Sequence, residues 1–207
     1  MAFDLSLYLV TDAALCRDYG LEKTVEKAVK GGVTIVQLRD KHASDAQMIA
    51  QAKHLKSVLA GSGVPLIIND RLNVALESQA DGLHVGQSDT AAQLARSAMG
   101  EKAIIGLSVN TLEQLQAAPV ALLDYVGLGP IFATPSKQDH AQPIGFGGLA
   151  ALVKNCPLPN VAIGGLKAEH ISAVERAGAN GLAVISAICG QPDPYSAAQA
   201  FKTTQPL

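Results

Sequence analysis

The sequence predicts a (β/α)8 barrel, an α/β fold built as one domain over residues 1–207. Eight short apolar runs alternate along the chain with segments of helical character, which is typical of parallel βα units. Eight units in 207 residues leave about 26 residues for each, close to the minimum for a strand, a helix and their turns.

The predicted strands are short runs rich in β-branched and aliphatic residues. They show little alternation of apolar and polar residues, which suits parallel strands that are covered on both faces. In chain order the runs are residues 5–11, 34–39, 66–69, 82–85, 104–108, 125–129, 161–165 and 181–186.

The predicted helices lie between these runs. Three segments have helical apolar spacing or an alanine-rich composition that favours helices: residues 21–29, 91–99 and 168–177. Ser44 with Gln47 forms the pattern of a capping box that opens a helix to about residue 60, and Thr111 with Gln114 repeats it. Helices are expected to stop at three glycines: Gly61, Gly100 and Gly178.

The alternative architecture is a doubly wound open sheet, which usually carries a G-x-G-x-x-G turn after its first strand. Here the first strand runs into Thr11-Asp12-Ala13 instead, and no linker divides the chain. One connection, residues 133–147, is polar, rich in Pro and Gly, and long for a βα loop. Such loops often act as lids.

The charge balance restricts the class of partner. The chain has 16 Lys and Arg against 18 Asp and Glu, a net charge of −2, so we expect neither nucleic acid nor a membrane as partner. No apolar run approaches the roughly 20 residues that span a bilayer, and no signal peptide is visible. Three scattered cysteines predict reduced thiols and a cytoplasmic protein. The oligomeric state stays open, a homo-oligomer included.

Polar residues directly follow most of the predicted strands. In a barrel these C-terminal strand ends converge on one face, where active sites lie. We therefore expect a single site near the following residues: Arg39, Asp40, Lys41, Asn69, Asp70, Arg71, Asp89, Ser108, Thr134, Lys137, Gly164, Gly165 and Ser186.

The second strand predicts a cationic part of this site. Gln37, Arg39 and Lys41 occupy alternate positions, so all three side chains are expected on the same side of the chain. Two adjacent cations suit a diphosphate, because Arg presents a fork of donors and Lys a point charge. The alternative is a rim salt bridge to Asp40 or Asp70.

Asp70 and Asp89 follow adjacent strands and predict a metal site. Two carboxylates with substrate phosphates are the ligands that Mg²⁺ prefers. The alternatives are a rim salt bridge for Asp70 and a helix N-cap for Asp89. His84 lies within the fourth strand and either faces the mouth or is a hydrogen-bonded core histidine.

Gly164-Gly165 and Ser186 predict a second anion site. Glycines let backbone N–H groups approach a phosphate, and barrels often bind one after their last two strands. The alternative is a pair of tight turns. Two phosphorylated substrates that meet between the two anion sites would suit a displacement of diphosphate.

The chain resembles the thiamin-phosphate synthase family at these residues, over nearly its whole length. The motifs occur in order: GGVTIVQLRDK (31–41), IINDR (67–71), ADGLHVGQSD (80–89), GLS (106–108), DYVGLGPIFATPSK (124–137), AIGG (162–165) and AVISAI (183–188). The resemblance implies a (β/α)8 transferase that joins hydroxymethylpyrimidine diphosphate to a thiazole phosphate, with one Mg²⁺ per subunit.

The resemblance also implies roles for individual residues. The pyrimidine diphosphate is bound by Gln37, Leu38, Arg39, Asp40, Lys41, Asn69, Ser108 and Lys137. The thiazole phosphate is bound by Thr134, Pro135, Ser136, Gly165, Ile185 and Ser186. Asp70 and Asp89 bind Mg²⁺, while Arg39, Lys41, Lys137 and Ser108 are catalytic. Asp40 stands where many relatives have Glu, and Asn73, expected on the helix after the third strand, where many have Asp.

The mechanism that the resemblance implies is dissociative: diphosphate leaves first, and the thiazole nitrogen captures the resulting cation. No protein nucleophile is needed, and closure of residues 133–147 would exclude water. Two other functions stay open. One is a thiazole tautomerase, which needs the phosphate end of the site but not the diphosphate end. The other is a non-catalytic sensor of phosphorylated ligands.

Overall fold

The computed structural model describes residues 3–87, 91–134 and 142–202, in which the strands form a closed parallel barrel. Neighbouring strands pair in chain order, and the last strand pairs with the first. The bounds are β1 Leu7–Val10, β2 Ile35–Leu38, β3 Leu66–Asn69, β4 Gly82–Val85, β5 Ile104–Val109, β6 Tyr125–Leu128, β7 Asn160–Ile163 and β8 Gly181–Val184.

Helices follow the strands on the outside of the barrel. Their bounds are α1 Leu21–Gly31, α2 Asp45–Leu59, α3 Leu72–Ser78, α4 Ala91–Met99, α5 Leu112–Ala117, α6 Gly145–Asn155, α7 Ile171–Arg176 and α8 Pro194–Gln199. The Ser44 hydroxyl accepts a hydrogen bond from the Gln47 backbone in a complete capping box. At α5 only half of the box forms, because the Gln114 side chain accepts from the backbone of Asn110 rather than of Thr111.

The predicted barrel is confirmed, and the doubly wound alternative is excluded because the sheet closes. All eight strands form within the predicted runs or within one residue of them. The helix expected after the third strand is α3, and Asn73 lies on it, whereas α6 and α8 were not predicted as separate segments. Helix α6 begins at Gly145, inside the predicted long loop, so the connection ends earlier than expected. Residues 135–141 of this connection lie outside the described residues.

The sheet separates two hydrophobic cores. Alternate strand positions point into the barrel, where Tyr8, Ile35, Ile67, Tyr125 and Ala183 pack together. The other positions, such as Leu38 and Leu66, pack against the surrounding helices. Because both strand faces are buried, both must be apolar, which explains the continuous apolar runs in the sequence.

Charged residues at the N-terminal end of the barrel hold the beginnings of strands. Lys56 forms an ion pair with Asp81, whose other carboxylate oxygen accepts from the backbone of Leu66 at 2.8 Å. Arg96 pairs with Asp124 at 2.7 Å. These charges are satisfied by one another and by backbone. Within the described part of the chain, no helix is long and apolar enough to cross a membrane.

Candidate active site

A cavity of about 270 Å³ opens at the C-terminal end of the barrel, and residues from all eight strands line it. One part of its wall, which we call the charged half, consists of Arg39, Lys41, Asn69, Asp70 and Ser108. The facing part, which we call the glycine half, consists of Gly164, Gly165, Ile185 and Ser186. The predicted convergence of strand ends on one site is therefore present in the structure.

The charged half begins with the residues of β2 and the loop after it. Gln37, Arg39 and Lys41 all line the cavity, as their alternate spacing predicts. Among the described residues, no ion pair joins Arg39 to Asp40 or Asp70, so the rim salt bridge is not formed by this arginine. The Asp40 carboxylate instead accepts from the backbone N–H groups of His42 and Ala43, at 2.9 and 3.1 Å.

Within the predicted stretch 37–41, all of which the structure describes, Leu38 and Asp40 do not line the cavity. Leu38 is buried among the helices, because strand alternation turns it away from the barrel interior. Asp40 stabilises its own loop through the backbone contacts described above. The stretch 37–41 therefore presents alternate residues to the cavity rather than all five.

Arg71 braces the loop that carries Lys41. Its guanidinium donates to the carbonyl oxygens of Ala43 at 2.6 Å and of Asp40 at 3.2 Å, and also to the Asp45 carboxylate at 3.0 Å. The sequence placed Arg71 at the strand end but gave it no role. Its position directly after Asp70 was the only signal, and the partners lie 26 to 31 residues away in the chain.

Asp70 stands at the cavity mouth in an unusual backbone conformation. Its φ of +61° is left-handed, which Asp and Asn tolerate better than most residues do. Its backbone N–H donates to the carbonyl of His84 at 2.9 Å, and its carboxylate accepts from the Asn69 amide at 2.7 Å. These contacts fix the carboxylate beside the cavity, where strained conformations often serve function.

The predicted metal site is only partly covered by the structure, since Asp89 lies outside the described residues. In the described ranges no three His, Cys, Asp or Glu side chains cluster as a metal cage. Asp70 alone supplies a described carboxylate to the mouth. That arrangement fits an ion such as Mg²⁺, which is held by one or two carboxylates and otherwise by water and substrate oxygens.

His84 is both a cavity residue and a hydrogen-bonded residue of the barrel interior, so the two alternatives from the sequence hold together. Its Nε2 lies 2.9 Å from Ser108 Oγ, and its Nδ1 lies 2.9 Å from Tyr125 Oη. Tyr125 Oη lies 2.7 Å from Tyr8 Oη, which in turn accepts from Gln37 Nε2 at 2.7 Å.

Tyr8 and Tyr125 were missed by sequence reasoning, because they stand in apolar runs and their partners come from other strands. Burial raises the pKa of Tyr8 and the pKa of Tyr125 above the ordinary value of a phenol. Both hydroxyls therefore keep their protons near neutral pH and act as hydrogen-bond donors and acceptors.

The glycine half is built by backbone. Gly164 and Gly165 have φ values of +108° and +63°, conformations that favour glycine. A Cβ on Gly165 would lie 2.8 Å from Cβ of Phe132, so the chains approach closely there. This geometry makes a tight turn and also leaves the backbone accessible to an anion, so the two alternatives for these glycines are compatible.

Thr134 also lines the cavity. The other residues predicted on this connection, Pro135, Ser136 and Lys137, lie outside the described residues, so their predicted contacts stay predictions.

Comparison with known proteins identifies similar sequences over most of the chain. A family model described as "Thiamine monophosphate synthase" matches residues 7–188. The thiamine-phosphate synthase of Psychrobacter sp. (strain PRwf-1) is 54% identical, over 94% of this chain and 92% of that protein. The thiamine-phosphate synthase of Azorhizobium caulinodans is 52% identical, over 97% of this chain and 95% of that protein.

Solved structures give the same result for the fold. A thiamine phosphate pyrophosphorylase from Pyrococcus furiosus superposes with a TM-score of 0.84 at 33% identity, covering 95% of this chain and 93% of that chain. A 3-hexulose-6-phosphate synthase superposes with a TM-score of 0.65 at 18% identity, covering 95% of this chain and 98% of that chain. The second likeness concerns the barrel fold alone.

Proposed function

The chain belongs to the thiamine monophosphate synthase family, and from that premise we propose its substrates and mechanism. The relatives at 52 and 54% identity are thiamine-phosphate synthases, so this chain is a transferase of thiamine biosynthesis that acts on small molecules. We propose that it joins 4-amino-5-hydroxymethyl-2-methylpyrimidine diphosphate to 4-methyl-5-(2-phosphoethyl)thiazole or its carboxylate. The products would be thiamin phosphate and diphosphate.

The observation that carries this proposal is the division of the cavity into a charged half and a glycine half. In the charged half, Arg39 and Lys41 supply positive charge, and Asn69 and Ser108 supply neutral polar groups. A diphosphate ester with a polar ring needs both kinds of contact. We therefore assign the pyrimidine diphosphate to this half, with Lys137 as a further cation.

The glycine half is assigned to the thiazole phosphate. Gly165 exposes its backbone, and Ile185 and Ser186 line the cavity beside it. Backbone N–H groups in such turns bind phosphate without a net positive charge. Thr134, Pro135 and Ser136 are proposed to complete this subsite.

Asp70 and Asp89 are proposed to hold one Mg²⁺ per subunit. The support is the position of the Asp70 carboxylate at the cavity mouth and the hard oxygen donors that both side chains offer. When bound, the ion would neutralise charge on the diphosphate oxygens.

The proposed reaction breaks the bond between the pyrimidine methylene carbon and the diphosphate oxygen, and the electron pair leaves on that oxygen. The pyrimidine amino group donates electron density to the ring and stabilises the cation that remains. The thiazole nitrogen then supplies the electron pair of the new carbon–nitrogen bond. Arg39, Lys41 and Lys137 stabilise the negative charge that grows on the diphosphate, which is the kind of electrostatic work that often dominates catalysis.

Two other functions are less well supported. A thiazole tautomerase would need the glycine half but has no evident use for Arg39, Lys41 and Asp70 at the same cavity. A non-catalytic sensor would not need a carboxylate held beside the diphosphate subsite.

The proposal is tested by incubating the purified protein with both substrates and measuring thiamin phosphate by chromatography, with Mg²⁺ and with a chelator. We expect product only when both substrates and Mg²⁺ are present. Isomerisation of the thiazole carboxylate without coupling would favour the tautomerase instead. Tight binding of thiamin phosphate without any turnover would favour the sensor.

A further inference from the structure

A chain of hydrogen bonds crosses the barrel interior beneath the cavity. It runs from Gln37 on β2 through Tyr8 and Tyr125 to His84 on β4, and it ends at Ser108 on β5. Each of the four distances lies between 2.7 and 2.9 Å. Among these five residues, Gln37, Tyr8, His84 and Ser108 line the cavity, whereas Tyr125 does not.

The middle of this chain is fully buried. Tyr8, although it lines the cavity, is 1% exposed and Tyr125 is not exposed at all, so both hydroxyls depend on partners within the protein. A buried hydroxyl that lacks a partner is costly, and buried polar groups are therefore almost always paired. The direction of every hydrogen bond in the chain follows from this requirement.

The direction is set at Gln37, whose Nε2 can only donate. Tyr8 Oη accepts that hydrogen bond, so its own proton is donated to its other partner, the oxygen of Tyr125. Tyr125 Oη then accepts from Tyr8 and must donate to Nδ1 of His84. The opposite direction would leave the Tyr8 proton without an acceptor among these contacts.

The same reasoning sets the direction of the last hydrogen bond, between His84 and Ser108. When Nδ1 accepts, the proton of the neutral imidazole is on Nε2, which donates to Ser108 Oγ. The Ser108 hydroxyl already accepts one hydrogen bond, so its own proton is available to the cavity. Phosphate oxygens and ring nitrogens accept hydrogen bonds, so a donor at this position suits a pyrimidine diphosphate.

One glycine makes room for this arrangement. A Cβ on Gly106 would lie 2.2 Å from Cζ of Tyr125, which no side chain could accommodate without a shift. A Cβ on Gly127 would lie 3.4 Å from Cε1 of His84, which is an ordinary contact. The position of Gly106 on β5 must therefore be small where the Tyr125 ring passes.

From these observations we infer that Tyr8 and Tyr125 are positioning residues: they hold His84 in its Nε2–H form and thereby make Ser108 a hydrogen-bond donor toward the pyrimidine diphosphate. The part about the substrate rests on the proposed function. The part about the histidine does not, because it concerns the protein without ligand.

The direct test is the protonation of the His84 ring in ¹⁵N-histidine-labelled protein at pH 8 without substrate, with the signals assigned through a His84→Asn variant. We expect a neutral ring with the proton on Nε2. A proton on Nδ1, or on both nitrogens, would overturn the inference. Tyr125→Phe should populate the Nδ1–H form, and Tyr8→Phe should do so to a smaller extent. An unchanged ring in Tyr125→Phe would also contradict the inference.

Tyr195→Phe is the matched control, since it removes a phenol that bonds Gln199 at 2.7 Å on helix α8, away from the cavity. It should leave the His84 signals and turnover unchanged. A change of the His84 signals in this control equal to that in Tyr125→Phe would show a general effect of removing a phenol and would overturn the inference.

The link to turnover is tested by a double-mutant cycle. We expect Tyr125→Phe to lower single-turnover product formation about tenfold in the wild-type background and to have little further effect in a Ser108→Ala background. An equal decrease in both backgrounds would show that Tyr125 does not act through Ser108. If no background forms thiamin phosphate, the proposed function fails, while the ligand-free spectra still decide the inference about His84.

Discussion

The charged half and the glycine half of the cavity both suit phosphate groups, but they use different means. The charged half presents side chains, among them Arg39 and Asp70, whereas the glycine half presents backbone around Gly164 and Gly165. In the proposed reaction, the diphosphate gains negative charge as its bond breaks, while the phosphate on the thiazole keeps its charge. Only contacts that strengthen in the transition state raise the rate. The charged half should therefore control kcat, and the glycine half should control binding.

Arg39→Ala is expected to cause the largest loss. Removal of a fixed donor that stabilises the leaving charge should lower kcat on the order of 10²- to 10³-fold. The free energy of unfolding should change by less than about 0.5 kcal/mol, because Arg39 is only half-buried and, among the described residues, no ion pair joins it to Asp40 or Asp70. Steady-state kinetics and urea unfolding provide these measurements.

Arg176→Ala, on the exposed surface of α7, is the matched control and should leave kcat unchanged. A wild-type kcat in Arg39→Ala would contradict the proposed catalytic role of Arg39.

Asp70→Asn tests the carboxylate at the mouth. Asn keeps the shape of Asp and tolerates the left-handed backbone, so the fold should survive while the charge is lost. We expect kcat to fall about a hundredfold, with a higher Mg²⁺ concentration needed for half-maximal rate. Glu175→Gln on exposed α7 makes the same chemical change and should have no such effect. An unchanged Mg²⁺ dependence would contradict the metal assignment.

Gly165→Ala tests the glycine half. We expect KM for the thiazole phosphate to rise roughly tenfold, with kcat less affected, because the new methyl group would crowd Phe132 and the anion subsite. Gly63→Ala is a matched control: Gly63 also has a positive φ of +76°, but nothing lies near its missing Cβ. Both variants should lose about 1 kcal/mol of stability from backbone strain. A wild-type KM in Gly165→Ala would contradict the assignment of the thiazole phosphate to the glycine half.

Arg71→Lys tests whether the charged half depends on the hydrogen bonds that Arg71 donates to the loop after β2. Lys keeps the positive charge but cannot reach the carbonyls of Ala43 and Asp40 together, as the guanidinium does. We expect the loop after β2 to be less well fixed and kcat/KM for the pyrimidine diphosphate to fall several-fold. Wild-type kinetics in Arg71→Lys would mean that the charge of Arg71 suffices.

The smallest effect concerns the pH dependence of stability. Hydrogen bonds from Asn73 and then from Arg71 lower the pKa of Asp45. A carboxyl with a lowered pKa in the folded state stabilises the fold above its unfolded pKa of about 4, and this contribution is lost as the pH falls. The free energy of unfolding of Asp45→Asn should therefore be lower than that of wild type at pH 7, and the difference should shrink toward pH 3. A constant difference over this range would contradict the role given to Asp45.

The barrel could be predicted from the sequence because each βα unit carries the same short local pattern, an apolar strand followed by polar residues. Each strand of a parallel barrel is buried on both faces, so its run is apolar, and the polar residues that follow mark one face of the fold. Arg39, Asn69, Asp70 and Ser108 were all recognised on this basis, and all of them line the cavity.

The features that could not be predicted depend on contacts between residues far apart in the sequence, which no local pattern contains. Tyr8 and Tyr125 are 117 residues apart in the chain, and each resembles an ordinary core residue in its own strand. Leu38 and Asp40 belong to a contiguous stretch that the family resemblance implied as a whole, although strand alternation turns Leu38 away from the cavity. Short helices such as α8 have too few residues for a helical pattern to be recognised.

The division of the cavity is tested most directly by a crystal structure of the protein with thiamin phosphate, diphosphate and Mg²⁺. The account predicts that diphosphate contacts Arg39 and Lys41, and that the phosphate of thiamin phosphate lies against the backbone of Gly165 and Ser186. A structure with the two phosphorylated groups in exchanged positions, or with diphosphate outside the charged half, would contradict it.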